Sequence, residues 1–455
     1  MSAGGTIALS QLSEISGEAQ VIRDPSRLAA YEIDGKLPAA AVQPGCEEEV
    51  AEIVKFAVRE KLALTVTGAR TKLSMGMPPR QYDLALDMTR MQRIVAYDPE
   101  DLTLCVESGT PLHTIAEALA KHGQFLPLAV PYAARTTAGG TIASGVDSPL
   151  RQSYGTARDF VLGMQFVTGD GVAAKSGGRV VKNVSGYDIH KMMSGSLGTL
   201  GAITRINFRT FPLPRTTSVF QVVFGTCRAA CEFRNALAQS TLRPRTLEIL
   251  GGSGTAAAEP SAPERIPLGG NDWTALVSFA GEEAVLNRVR SDMETLGARS
   301  GDVQSLTLLD PEGEKAAMAI VAEFPASILE RFPAAAVFKI STLPTELPEL
   351  ARRMAAIEMP WALMMRGVGT AYLALLPPME NDGSLPALKP ECARILNLGG
   401  QPPWRNVTLP WCPAALKSEL DIWGTAPASL DLTRKLKAVF DPAGVLSPGR
   451  FMGGI

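Results

Sequence analysis

Apolar residues recur at helical spacing through residues 47–60, EEEVAEIVKFAVRE, where Val50, Ile53, Val54, Ala57 and Val58 share one stripe and acids fill the first turn. That pattern predicts an amphipathic helix. A short apolar run, Leu62 to Thr67, predicts a strand, and GARTKLSMG, a strand-like LALDM at 84–88 and a partly alternating LTLCVESG at 102–109 follow it. Residues 110–122, TPLHTIAEALAKH, carry a hydroxyl cap, a first-turn proline, an apolar stripe and Gly123 as a stop, and so predict a second helix. Ala202 to Phe208 reads as another strand. After Pro212 and Pro214 the order is strand 217–224, helix 228–239, strand 273–280 and helix 282–296, so a second α+β domain is expected from about residue 215. Residues 251–272 read as an insertion or mobile loop, Trp361 to Leu376 as core strand and turn, and the pattern turns helical again from Leu430.

Composition narrows the classes without choosing among them. At 455 residues the chain is long enough for two or more domains, and a net charge of −2 with no Lys/Arg block speaks against nucleic acid or an acidic membrane as partner. Met1 to Leu12 does not read as a secretory signal, and the window 361–376 is short for a bilayer and carries Arg366. Six scattered cysteines lack the spacing of an iron–sulfur centre. Reduced, mostly buried thiols in a cytoplasmic protein are expected, with a disulfide or metal role for Cys227 and Cys231 as the lesser alternative.

Three glycine-rich stretches carry the chemistry. In VTGARTKLSMG, 66–76, a strand ends in a loop of small residues whose backbone N–H groups can wrap a pyrophosphate, although it has neither Walker nor Rossmann spacing and alone reads as an ordinary turn. In PYAARTTAGGTIASG, 131–145, Thr136, Thr137, Thr141 and Ser144 place hydroxyls around Gly139 and Gly140, or else form a buried packing corner. In SGGRVVKNVSGYDIHKMMSGSLGTLGAIT, 176–204, Gly195, Gly198 and Gly201 fall three apart, which removes side chains where a backbone passes close to another group.

Taken in order, the loop at 67–76, GGTIASG at 139–145, YGTARDFVLG at 154–163, KNVSGYD at 182–188 and GSLGTLGAIT at 195–204 resemble the FAD-binding domain of the vanillyl-alcohol oxidase, or PCMH-type, flavoproteins. The likeness spans most of residues 35–214, and FDPAGVLSPGRF at the tail resembles that family's ending. Within the family the motifs are most similar to the FAD-binding subunits of bacterial glycolate oxidases (glycolate dehydrogenases). The resemblance implies an α+β fold: a PCMH-type FAD-binding domain of two α+β subdomains at 1–214, a cap domain of antiparallel sheet with helices at 215–429, and a segment 430–455 returning to the first domain.

The resemblance also implies site residues. Thr67, Gly68, Ala69, Arg70, Thr71 and Ser74 would hold the pyrophosphate, and Pro131, Thr136, Thr137, Gly139, Gly140, Thr141 and Ser144 would line the ribityl and pyrophosphate portions. Gly198, Gly201 and Ile203 would pass along the adenine side, with Lys182, Asn183, Gly186 and Tyr187 nearby and Arg450 reaching a phosphate or flavin carbonyl. The first loop holds no histidine or cysteine, so non-covalent FAD is expected.

Family members that oxidise D-2-hydroxy acids place histidines and a carboxylate in the second domain to bind a metal and take the hydroxyl proton. Here the three histidines, His113, His122 and His190, all precede that domain. His113 and His122 read as partly solvated helix side chains, and His190 as a structural residue first, with a place near the flavin as the lesser alternative. Arg366 and Arg405 can fork a carboxylate or serve only packing, and Asp188 can orient a donor or cap a helix. No metal site and no catalytic residue are assigned. The resemblance implies a subunit of a complex, with a second, catalytic FAD subunit, an iron–sulfur subunit and a small 2-hydroxy acid as partners, cytoplasmic or peripheral at the inner membrane through that complex. The alternatives are an autonomous D-2-hydroxy-acid (D-lactate-like) dehydrogenase and a structural subunit that has lost catalysis.

Overall fold

A computed structural model describes residues 9–179, 186–253, 272–354, 356–377 and 387–455. The expected insertion at 251–272 therefore lies largely outside the described residues, as do Lys182 and Asn183. The first sheet orders its strands Val21–Ile22, Ala40–Val42, Leu84–Asp87, Leu64–Thr67, the last three parallel. Between the second and fourth of these runs the helix Glu47–Glu60, with the bounds its sequence predicts; Val50, Ile53, Val54, Phe56 and Ala57 are buried and Glu47, Glu48 and Glu49 sit in its first turn. Acids there face the positive end of the helix dipole. Lys61 takes the left-handed conformation, φ 56°, and the Leu62 amide closes back on the Ala57 carbonyl, so the strand begins at Leu64 rather than Leu62.

The tail completes this sheet. The Leu64 amide donates to Val445 O and the Ser447 amide to Leu64 O, both at 2.7 Å, which lays residues 445–447 alongside the strand that feeds the glycine-rich loop. A second, antiparallel sheet orders Ile94–Asp98, Thr103–Glu107, Ala202–Arg209, Val161–Val167 and Ala173–Gly177. The helix expected over 110–122 is Leu112–Ala120: Pro111 holds the cap position, and the Thr110 hydroxyl donates instead to Arg93 O at 3.3 Å.

Eight antiparallel strands form the third sheet, ordered Val303–Leu308, Thr216–Phe224, Trp273–Gly281, Thr246–Ser253, Trp361–Arg366, Thr370–Leu375, Ala336–Ser341, Asn406–Trp411. Side chains alternate between its faces. Phe220, Val222, Leu363, Met365 and Leu373 point into a core shared with the helices Cys227–Gln239, Glu283–Arg299, Leu347–Met354 and Leu388–Leu396. Val219, Leu250, Met364, Tyr372 and Trp411 belong to another core, continuous with Val106, Phe160, Met164 and Phe208 of the N-terminal half and with Phe324 of the helix Pro311–Arg331. The two halves thus share one apolar interior.

No α-helix follows Asp188 for it to cap. Only a 3₁₀ turn, Ile189–Met192, forms there, because Gly195 and Gly198 adopt φ +79° and +73° and carry the backbone out of a right-handed helix. Asp188 makes no cap bond and pairs with Lys191 at 2.8 Å.

One close approach fixes how the second sheet meets the first. A Cβ on Gly109 would lie 2.0 Å from Met88 O and 2.7 Å from Met91 O, and the Gly109 amide donates to Met91 O. Backbone cannot swing away as a side-chain end can. Gly109→Ala is expected to destabilise the fold by about 2–3 kcal/mol, read as a lowered midpoint in urea unfolding.

Candidate flavin site

Two adjoining crevices open where the first sheet, the helix Ala138–Ser144 and the 195–203 stretch meet. The first is lined by Thr65 to Leu73, Thr136, Thr137, Gly140, Ala143, Ser144, Leu197 and Arg450. The second shares Val66, Thr67, Gly68, Thr137, Gly140 and Ala143 and adds Met88, Ser108, Gly139, Gly198, Gly201 and Ile203. Sequence-predicted residues from three separate stretches are therefore brought together, and the tail contributes Arg450.

Glycine is what lets these segments close on one another. A Cβ at Gly68 would meet Thr137 Oγ1 at 2.3 Å, and one at Gly198 would meet Val66 Cβ at 3.3 Å. Thr137 caps the helix Ala138–Ser144 by accepting from the Gly140 amide at 3.3 Å. The walls keep polar atoms in reserve: Thr65 Oγ1, Thr67 Oγ1, Ser108 Oγ and Arg450 Nη1 are buried without a hydrogen-bond partner. Unpartnered buried donors are costly, and a ligand rich in phosphate and hydroxyl oxygens relieves that cost. The donor set fits a dinucleotide such as FAD.

Cations shape the loop. Arg70, at φ 64°, is drawn to the Asp87 carboxylate at 2.9 Å, which also accepts from Tyr31 Oη at 2.6 Å and Gln43 Nε2 at 3.0 Å. Its guanidinium lies 4.7 Å from the Tyr31 ring centroid, so Arg70 lines the crevice while bracing the loop. Lys72, absent from the sequence-based set, donates to Thr136 Oγ1 at 2.8 Å; burial pulls its pKa down to about 8 although Glu323 acts to raise it. Arg450 donates through Nη2 to Leu73 O at 2.6 Å and Met75 O at 2.5 Å, and burial lowers its pKa to about 10 against the pull of Asp34.

Other expected residues lie elsewhere. Ser74 turns its side chain outward while its carbonyl accepts from buried Lys417 at 2.5 Å, a cation that also pairs with Asp34 at 2.9 Å. Thr141 is buried inside its own helix turn and donates to Thr137 O at 2.9 Å. Pro131 is buried outside both crevices, and Gly186 and Tyr187 are exposed, Tyr187 to 89%. Ser108 was not legible as a site residue because the fold brings it in; Lys72 and Leu197 lie inside the glycine-bearing stretches 66–76 and 176–204, and only the direction of their side chains was hidden.

The remaining candidates resolve into structural roles. His190 is buried with Nδ1 3.1 Å from Ser176 Oγ, and burial lowers its pKa against the opposing Asp188 charge. His122 packs edge-on against Tyr97, and His113 is exposed. All six cysteines are free thiols, with Cys227 Sγ and Cys231 Sγ 3.9 Å apart on successive turns of one helix. Arg405 is spent on Glu346 in a two-bond pair at 2.7 and 2.9 Å.

Arg366 sits at the centre of a buried ionic cluster on the eight-stranded sheet's inner face. It donates to Glu248 Oε1 at 3.0 Å, approaches Asp147 Oδ2 at 3.3 Å and lies 5.5 Å from the Tyr372 ring centroid. Asp147 follows the crevice helix by three residues, so the cluster ties the cap sheet to the crevice wall. Burial pushes Glu248 up to about 7, outweighing the attraction of Arg366; Arg366 itself loses to burial but is held above its ordinary value by Glu248 and Asp147. Lys339, partly buried beside the same cluster, is lowered by burial against the attraction of Asp147.

Comparison with known proteins agrees with this construction. Residues 38–177 match the family model of the FAD binding domain, and residues 213–372 and 424–451 match that of the C-terminal domain of FAD linked oxidases. Over 461 aligned positions, covering 97% of this chain and 95% of the relative, the sequence is 24% identical to the glycolate oxidase subunit GlcD of Bacillus subtilis. It is 40% identical over 171 residues, 37% of this chain and 48% of the relative, to the glycolate oxidase subunit GlcE of Escherichia coli. The D-lactate dehydrogenase of Archaeoglobus fulgidus is 31% identical over 224 residues, 49% of this chain and 50% of that one. In fold, the chain superposes on p-cresol methylhydroxylase with a TM-score of 0.74 at 16% identity, covering 97% of this chain and 95% of that one.

The chain belongs to the FAD-linked oxidases, flavoproteins with a PCMH-type α+β fold. FAD is its cofactor.

Two outcomes follow from the geometry. Arg450→Met removes the cation that gathers the Leu73 and Met75 carbonyls, so the purified variant should carry less than half the wild-type FAD per chain, measured as the flavin-to-protein absorbance ratio. Glu248 keeps its proton to about pH 7 when folded but only to its ordinary 4.5 when unfolded. Its contribution is therefore complete below about pH 4.5 and lost as pH rises through 7. Glu248→Gln should flatten the fall in stability across that window, by up to about 1.4 kcal/mol per pH unit, in urea titrations at stepped pH.

Proposed function

We propose that this chain is the FAD-binding subunit of an assembly that oxidises a small 2-hydroxy acid, glycolate, to glyoxylate. The chemistry FAD supplies when bound is two-electron acceptance from a CH–OH carbon. In this reading Thr67 to Thr71 and Arg450 hold the pyrophosphate, Thr136, Thr137, Gly139, Gly140 and Ser144 line the ribityl portion, and Gly198, Gly201 and Ile203 follow the adenine. Residues 1–214 form the FAD-binding domain, 215–429 the cap and 430–455 the returning segment. Lys182 and Asn183 remain candidates beside the flavin. Ser74, Pro131, Thr141 and Tyr187 are left out of the contact set.

The observation that carries the division of labour is the commitment of Arg366. Its guanidinium is engaged by two buried acidic side chains, Asp147 and Glu248, and so is not free to fork a substrate carboxylate. The sequence also supplies no histidine after His190 to take a hydroxyl proton. The residues of this chain thus bind, enclose and orient a flavin, and a second, catalytic flavoprotein subunit and an iron–sulfur subunit complete the reaction and carry electrons onward. The full-length similarity to GlcD and the higher local similarity to GlcE support such a multi-subunit oxidase. Among the described residues no helix is long and apolar enough to cross a membrane, and we place the chain in the cytoplasm, alone or at the inner membrane through its partners.

The purified chain should show a flavin spectrum, release its FAD into the supernatant on acid precipitation, and reduce dye with glycolate only when its partners are added. Flavin retained on the pellet would contradict non-covalent binding. Full activity from the isolated chain would favour an autonomous dehydrogenase of the D-lactate type, the reading to which the Archaeoglobus relative lends weight.

A further inference from the structure

A third cavity, of about 450 Å³, shares no lining residue with either flavin crevice. It lies between the helix Cys227–Gln239, the short helix Arg151–Tyr154 and the turn that follows Arg366, and Arg234, Arg243 and Gly367 are on its wall. Arg234 donates to Gly367 O through Nε at 3.1 Å and Nη2 at 2.7 Å, and to Asn235 Oδ1 through Nη1 at 2.7 Å. Arg243 uses only Nη1, on the Ser240 and Leu242 carbonyls at 2.8 and 2.9 Å. A guanidinium has five N–H groups, so Arg243 keeps Nε and Nη2 without a partner among the described residues, and Arg234 is half satisfied.

What is missing is the counter-charge. Among the described residues neither arginine has a carboxylate within ion-pair distance, whereas Arg93, Arg366 and Arg405 each do. Arg234 is half-buried, and burial draws its pKa below the ordinary arginine value with no carboxylate to restore it. Arg243 is exposed and Arg234 is partly removed from water, so the cavity presents one solvated and one half-buried cation to an entering anion. Leu237, Leu242 and Leu247 give the wall an apolar side, and Gln152 and Ser153 add two uncharged polar side chains. Guanidiniums beside leucine side chains suit an anion with a hydrocarbon body, and the volume is that of a small-molecule site.

We infer that this cavity binds a small organic carboxylate of a few carbons, its carboxylate on Arg243 and Arg234 and its hydrocarbon on the leucines. The inference stands apart from the flavin and from the identity of the substrate. It does bear on the cap, because Arg234 already holds the carbonyl of Gly367, whose amide donates to Leu247 O at 2.8 Å; the neighbours of these two residues are Arg366 and Glu248. An anion drawn to Arg234 therefore meets the turn that carries the buried ionic cluster.

The test is calorimetric titration of the flavin-loaded chain, at fixed ionic strength, with glycolate, glyoxylate and succinate, and with inorganic phosphate as the counter-probe. Saturable one-site binding of at least one carboxylate, with Kd near or below about 1 mM, is expected. Arg243→Gln should weaken it at least tenfold. Ala238→Glu, at an exposed lining position, should abolish it by placing a tethered carboxylate in the cavity, with the flavin spectrum unchanged in both variants. Arg234→Gln is a weaker test because it also releases the Gly367 carbonyl. No saturable heat up to about 10 mM, binding unaltered by Arg243→Gln and Ala238→Glu, or phosphate binding as tightly as the carboxylates would each overturn the proposal. Because the readout is heat of binding in single chains, its failure leaves the flavin-subunit reading untouched.

Discussion

The loop at residues 68–76 has almost no regular structure, and its shape depends on cations that arrive from far along the chain. Arg450 collects the carbonyls of Leu73 and Met75, and Lys417, wholly buried, collects Ser74 O and pairs with Asp34. Backbone carbonyls pointing inward from an irregular loop need donors, and buried cations need acceptors, so each solves the other's problem. The consequence is that a glycine-rich loop, cheap to bend but entropically costly to fix, is pinned only when the cap and the tail have folded onto the first sheet. The crevice for the flavin is a product of the whole chain.

The same logic governs the cap. Arg366 on the eight-stranded sheet is hydrogen-bonded to Glu248 beside it and paired with Asp147 from the segment after the crevice helix. A buried ion group of this kind contributes less to stability than to specifying one arrangement, since removing one member strands the others. Here it fixes how the cap sits over the flavin domain and uses up the guanidinium that a carboxylate substrate would otherwise find. Where Arg234 and Arg243 lack such acids, the chain leaves charge available to a ligand.

Much of this was legible in the sequence where the signal is local. The helix Glu47–Glu60 shows its stripe and its acidic first turn, and the strands at 64–67, 84–87 and 202–209 show apolar runs between turn residues. The glycine and threonine stretches could be recognised as belonging to one site because their order along the chain is informative. Side-chain direction could not be read: Thr141 and Thr137 look alike in sequence, yet one bonds its own helix and the other caps it at the crevice wall. Long-range partners were equally hidden. Nothing near Arg70 announces Asp87 and Tyr31, and nothing near Arg366 announces Asp147. The helix Pro311–Arg331, which brings Glu323 to the Tyr132 and Ala133 amides, has an apolar pattern too diffuse to show one face.

In the proposed division of labour this chain holds a flavin and a partner oxidises the substrate, and the flavin's own colour reports on that division. The most direct measurement is the oxidised flavin absorption band of the purified chain, mixed anaerobically with excess glycolate and no partner subunit. The band should persist unchanged over minutes and bleach only when the partner subunits are supplied. Rapid bleaching of the isolated chain by glycolate would contradict the account.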